Sequence, residues 1–194
     1  MGPSAAKVIE GILSIAVRRP FDLGDRIILC KPEEKSKLSE TYIVEDINLT
    51  TTTLRFAQTN EVSTVNNWSL TTARIVNCAR SPKACIRILA KFNTGASLEK
   101  LDTLKSRLED WLSKDPRSWA GLVQFVTDII DRDNALIVYK IGVLHVKPWQ
   151  DISSVMKSKG DLECEVDRIS FELGIHYNSV PTRHKVFLQE KKNN

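Results

Sequence analysis

Val17-Arg18-Arg19-Pro20-Phe21-Asp22-Leu23-Gly24-Asp25-Arg26-Ile27 joins a short apolar helix to a basic, turn-bearing approach to β structure, and the architecture on either side follows from that join. Upstream, residues 5–17 are mostly small or apolar; Lys7 and Glu10 interrupt them, and Pro20 stops the helix. This run is too short to cross a bilayer, which takes roughly 20 apolar residues. Downstream, Asp22-Leu23-Gly24-Asp25 carries turn chemistry, with Gly24 free to take a positive φ, and Ile27-Ile28-Leu29 reads as a strand. An apolar helix with a basic end, feeding β structure, points to the edge of a membrane.

Beyond the join, strands are predicted at 26–30, 42–49, 54–58, 61–65 and 74–78, rich in Thr, Val and Ile. Turn-forming Thr59-Asn60 and Asn66-Asn67 separate them, and short, evenly spaced strands suggest a small barrel. Lys31-Pro32-Glu33-Glu34-Lys35-Ser36-Lys37 is polar throughout and reads as an exposed hairpin loop.

Ser81-Pro82 marks a change of pattern. Ile86, Ile88, Ala90 and Phe92 alternate as one face of a strand. Ser97 is placed to cap a helix whose stripe is Leu98, Leu101, Leu104, Leu108 and Leu112, with Pro116 just past its end. Strands at 122–130 and 136–146 flank Asp131-Arg132-Asp133-Asn134, and a second helix aligns Leu162, Val166, Ile169 and Leu173 before Gly174. A last strand at 185–189 completes a βαββαβ order, the ferredoxin-like pattern.

The 194 residues carry 42% hydrophobic side chains and a formal charge of +4, with 24 acids spread among 28 basic residues. That is an ordinary balance for globular cores and leaves no nucleic-acid footprint in the charge. Cys30, Cys78, Cys85 and Cys164 are widely spaced in mostly apolar settings, the usage of reduced thiols rather than of a disulfide framework. Two glycosylation sequons, at Asn48 and Asn67, fall in strand or tight-loop positions and carry no weight.

Catalysis needs a nucleophile or an acid/base pair with an orienting partner, and His145, His176 and His184 have no Ser or Cys at such a spacing. No phosphate-binding loop or paired metal ligands occur; Asp128, Asp131 and Asp133 lack the Gly and Glu of a calcium loop and read as a polar hairpin. The expectation is a non-enzyme with no cofactor and no metal. A small barrel followed by a ferredoxin-like unit also describes RNA-binding proteins, but Phe125 and Tyr139 lack the flanking pattern of an RNA-stacking strand, so no nucleic-acid partner is expected.

Arg19-Pro20-Phe21-x-x-Gly24-Asp25-x-Ile27 resembles the signature that follows the pore-lining helix of MscS-like mechanosensitive channels. Val44-Glu45-Asp46-Ile47-Asn48-Leu49-Thr50-Thr51-Thr52 is similar to that family's V-x-x-I-x-L-x-x-T strand, and Ile75-Val76-Asn77-Cys78-Ala79-Arg80-Ser81-Pro82 to its I-x-N-x-x-R-S segment. Asn66-Asn67 stands where the family usually has Pro-Asn, so the rigid turn of a proline is lost. The wording around Asp22-Leu23-Gly24-Asp25, Arg80-Ser81-Pro82 and Trp119 resembles eukaryotic members.

The resemblance implies an α+β fold: the end of a pore-lining helix (1–19), a small Sm-like β-barrel (20–82) and a ferredoxin-like domain with a tail (83–194). It further implies a cytosolic piece of a longer membrane protein, in the plasma membrane or an internal one, whose pore passes ions under tension. Head-to-tail contacts would close it into a homo-oligomeric ring, roughly seven subunits in bacterial members. Pro20, Phe21, Gly24 and Asp25 would then set the angle between helix and barrel, and the barrel edge at Val62, Val65, Asn66 and Asn67, with Asn77, would meet the neighbouring subunit. Arg18 and Arg19 suit lipid phosphates or, as plainly, the carbonyls of a helix end. Gly11 permits close packing or a bend, or is tolerated at a cost of about 1 kcal/mol relative to Ala.

Overall fold

The computed structural model describes residues 3–30 and 40–177. The polar loop expected at 31–37, the last strand expected at 185–189 and His184 lie outside them. Helix α1 (Pro3–Leu13) runs into one wider turn, Ser14–Arg18, and stops ahead of Pro20. Five strands follow: β1 (Arg26–Cys30), β2 (Glu40–Ile47), β3 (Thr51–Phe56), β4 (Val62–Asn66) and, after the short helix α2 (Asn67–Leu70), β5 (Arg74–Asn77).

These strands form one antiparallel sheet in the order β4-β3-β2-β1-β5. Period-2 side chains place Ile27, Val44 and Leu54 on one face, where they meet Phe21 and Leu70 in a single core. Ile15 of the helical segment packs on that same core. The sequence reading differs at three places. The strand expected at 54–58 runs Thr51–Phe56, and residues 57–58 belong to the turn before β4. Asn66-Asn67, read as a turn, instead ends β4 and starts α2, because Asn67 turns its amide inward to bond backbone carbonyls that a turn would leave open. Residues 48–49, read as the end of a strand, belong with Thr50 to the β2–β3 turn, closed by the Asn48 N–H donating to the Thr51 carbonyl at 2.8 Å.

The second unit holds β6 (Cys85–Asn93), α3 (Leu98–Lys114), β7 (Trp119–Asp131), β8 (Leu136–His145) and α4 (Ile152–Glu172). Its antiparallel sheet runs β6-β8-β7, and both helices pack on the face carrying Ile86, Ile88, Ala90 and Phe92. Ser97 caps α3 as expected, accepting the Lys100 N–H, and Leu101, Leu104, Leu108 and Leu112 are buried. Leu98, assigned to the same stripe by spacing, is 76% exposed: it is the first helical residue and lies short of the sheet. Strand β7 begins at Trp119, earlier than expected, and three register irregularities break the regular alternation that sequence reading relies on. Within the described residues the chain order is thus α, four strands, the short α2, a fifth strand, then βαββα: a mixed α+β fold of two antiparallel sheets with separate cores.

Candidate functional site

The residues around the α1–sheet join form a built site. Arg19 takes a left-handed backbone (φ 44°, ψ 63°), unusual for a residue with a side chain, and its N–H donates to the Ser14 carbonyl at 3.0 Å across five residues. Its own carbonyl accepts a bond from an Arg80 guanidinium nitrogen at 2.6 Å. The other end of that guanidinium reaches Asp22 at 2.7 Å, and Asp22 also pairs with Arg19 at 3.1 Å. Hydrogen bonding from Arg80, more than the nearby charge of Arg19, holds the Asp22 carboxyl below its ordinary value.

Asn77 sits at the centre of the next layer. Its amide nitrogen donates to Asp25 at 2.7 Å and to the Pro20 carbonyl at 3.2 Å, and its amide oxygen accepts the N–H groups of Ala79 and Arg80. Asp25 in turn accepts the Asp22 N–H at 2.8 Å. Gly24, at φ 82°, makes the tight turn that brings Asp25 back to this position. One side chain therefore ties the end of β5 to both sides of the Pro20-Phe21 step. Phe21 points inward, 2% exposed, so the polar lock lies over an apolar anchor.

A second contact seats the helix itself. At Gly11 a Cβ would come within 2.7 Å of the Trp68 backbone nitrogen, so α1 touches α2 backbone to backbone. Of the three readings open for Gly11, close packing is the one its surroundings fit. Lys7 lies over the Trp68 ring at 4.8 Å from its centroid. Beneath α2, Asn67 is 1% exposed, donates to the carbonyls of Asn48 and Leu49 and accepts from the Thr52 hydroxyl.

The expected residues thus divide. Pro20, Phe21, Gly24 and Asp25 converge on the join, and Asn77, expected at the neighbouring subunit, bonds Pro20 and Asp25 there within its own chain, whereas Arg18 and the Arg19 guanidinium face solvent. Val62 and Asn66 are exposed on edge strand β4, Val65 is half-buried, and Asn67 is occupied within its own chain. Arg80, Asp22, Thr52 and Trp68 were missed as site residues. Arg80 lay inside a quoted motif, but nothing in the spacing told that it reaches back 61 residues to Arg19.

Elsewhere, the four cysteines are unpaired, and burial pushes the Cys78 thiol up. Asp131 caps its hairpin through the N–H groups of Asp133 and Asn134, and Asp128 pairs with Lys140. Phe125 and Tyr139 lie against the helix-covered core and so offer no open stacking platform. No group of potential metal ligands occurs among the described residues, and no helix among them is long and apolar enough to cross a membrane.

Residues 4–80 match the family described as the mechanosensitive ion channel β-domain. Mechanosensitive ion channel protein 10 of Arabidopsis thaliana is 25% identical over 183 residues, covering 93% of this chain and 23% of that protein. Mechanosensitive ion channel protein BA of Emericella nidulans is 28% identical over 160 residues, covering 80% and 16%. Among solved structures, Arabidopsis thaliana MSL1 superposes with a TM-score of 0.70 at 17% identity over 90% of this chain and 59% of that one. Helicobacter pylori MscS in its closed state superposes at 0.67 and 17%, over 94% and 66%. The fold is shared with both. Over residues 4–80 the chain is similar to mechanosensitive ion channels, and it spans about a fifth of the length of the curated relatives it matches.

Proposed function

We propose that this chain is the cytosolic region, with the end of the pore-lining helix, of a eukaryotic MscS-like channel opened by membrane tension. The observation that carries the reading is the join: α1 and the wider turn after it expose Ile9, Leu13 and Val17, and the end of that turn is tied by Arg80 and Asn77 over a buried Phe21. An apolar stripe on a polar-locked lever is what a helix needs if its displacement is to be carried into a β domain.

In this reading residues 20–82 form a small barrel-like domain and 83–194 a ferredoxin-like one, together building a hollow vestibule through which ions reach the pore. The subunits form a homo-oligomeric ring, with roughly seven copies as the expected number. Strand β4, an edge with Val62 59% exposed, and strand β7, an edge with Val123, Val126 and Ile129 outward, suit contacts between subunits. Arg18 and Arg19 lie at the level of lipid phosphates. Patch recording of the full channel in liposomes tests the reading: currents that rise with suction support it, and inserted, folded protein without such currents refutes it.

A further inference from the structure

Strand β5 leaves the sheet at Asn77, whose side chain caps the turn that follows. The edge of β1 exposed by that departure still has polar groups to satisfy. The Arg26 carbonyl accepts the Cys78 N–H at 2.8 Å, the last backbone bond from that side. The next two groups along the same edge are the Arg26 N–H and the Gly24 carbonyl, and both are met by one side chain from the second unit. Gln150 accepts the Arg26 N–H at 2.7 Å and donates its amide N–H to the Gly24 carbonyl at 2.9 Å.

A primary amide is the side-chain chemistry that reproduces a peptide rung, an acceptor and a donor side by side, and the two backbone partners fix which end is oxygen. Gln150 itself is held firmly. Its turn is closed by the Asp151 N–H donating to the Pro148 carbonyl at 3.2 Å, Asp151 caps α4 through Ser154, and Trp149 packs on the second core. Asp151 also pairs with Lys147, which with Ser154 holds its carboxyl below its ordinary value. A pinned amide therefore grips β1 one residue beyond Asp25, the carboxylate that Asn77 ties to the helix join.

We propose that Gln150 is a positioning residue that clasps the second unit to the start of β1, so that the helix join and the ferredoxin-like unit move as one body. The mechanical consequence rests on the channel reading above; the clasp itself does not.

The test measures hydrogen exchange in the 194-residue chain, corrected for intrinsic rates. Gln150→Leu keeps size and removes both bonds, so the Arg26 amide should exchange about tenfold faster while those of Leu54 and Val143, in the two cores, stay as they were. Gln150→Glu gives a readout that plain packing would not. At pH 7 its carboxylate has no donor for the Gly24 carbonyl and Arg26 protection should fall. Near pH 4.5, on the order of a free Glu pKa and below that of a Glu raised by a facing carbonyl, the protonated acid should restore donor and acceptor together. Unchanged Arg26 protection in Gln150→Leu, equal acceleration at all three amides, or a Gln150→Glu chain indifferent to pH each overturns the clasp. In the full channel, Gln150→Leu should shift the tension threshold. A loosened Arg26 amide with an unmoved threshold overturns the coupling, whereas a parent channel silent under tension defeats the channel reading and leaves the exchange result to decide the clasp.

Discussion

The Arg80 guanidinium donates to the carbonyl oxygen of Arg19 at 2.6 Å, so a residue just past the first sheet holds the one left-handed residue at the end of the helix. Left-handed backbone costs an L-residue with a Cβ roughly 1–2 kcal/mol, and here the cost is met by bonds on both sides of the peptide. Arg19→Gly should therefore leave stability unchanged or raise it by up to about 1 kcal/mol, the relieved strain being partly offset by a freer unfolded chain. Arg19→Ala keeps the Cβ and loses only exposed partners, so it should stay within about 0.5 kcal/mol. Arg19→Val, β-branched and poor in this conformation, should lower stability by more than about 1 kcal/mol. Denaturant melts of the three variants rank them; a Val variant as stable as the Ala one contradicts the left-handed assignment.

Asp22 gives the join a pH dependence with a definite sign. Its carboxyl is held below its usual value, first by hydrogen bonding from Arg80 and then by the charge of Arg19. A group depressed in the folded state contributes stability above its unfolded pKa, and that contribution fades as pH falls through the folded one. The difference between parent and Asp22→Asn should hence be constant from pH 7 to about 5, begin to fade near the unfolded value of about 4, and be lost only once the pH has fallen through the depressed folded value. Paired melts across that range check it, and a difference that persists at the acid end removes Asp22 from the lock.

Gly11 decides whether α1 can lie on α2. Ala is the better helix former by about 1 kcal/mol, yet a Cβ here meets backbone rather than a movable side chain. Gly11→Ala should lower stability by about 1–3 kcal/mol through overpacking, and the displaced helix should carry Lys7 off the Trp68 ring. Melting together with tryptophan fluorescence reads both effects. A stabilised Gly11→Ala chain means that α1 is free of α2.

Much of this architecture was legible in the residues. The period-2 run from Ile86 to Phe92 and the leucine stripe of α3 announce buried faces, because one element decides each of them. The turn at Gly24 was legible for the same reason. What escaped were contacts between distant segments. Arg80 on Arg19, Asn67 beneath α2 and Gln150 on β1 join positions 61, 18–19 and 124–126 residues apart, and no local period encodes them. Asn67 looked like a loop residue because Asn favours turns, and only the folded chain shows that its amide replaces missing backbone partners.

That Asn67 amide makes a sharp prediction of its own. Asn67→Ala would leave the buried Thr52 hydroxyl and the partly exposed carbonyls of Asn48 and Leu49 without their partner. An abandoned buried group costs about 1–3 kcal/mol and the two carbonyls can turn to water, so the loss should be about 1–3 kcal/mol. Thr52→Val abandons fewer groups and should cost less. If both variants melt with the parent, water has free access to this layer and the burial is wrong.

Phe21 carries the most exposed prediction for the proposed coupling. It is 2% exposed, shares a core with Ile27, Val44, Leu54 and Leu70, and follows directly on the Pro20 carbonyl that Asn77 holds. Phe21→Ala should cost about 3–5 kcal/mol of stability, since the site is walled by strands that cannot collapse fully into the cavity. Ile15, from the helical segment, packs on the same core, so the cavity also loosens the helix from the sheet. In the full channel part of the loss should therefore appear as an altered tension threshold, whereas Arg19→Ala should leave both stability and threshold close to the parent. Melting of the 194-residue chain and patch recording of the channel separate the two effects. A Phe21→Ala protein that melts earlier but opens at the parental tension makes Phe21 a core residue alone, and moves the coupling to the polar lock of Asn77, Asp25 and Arg80.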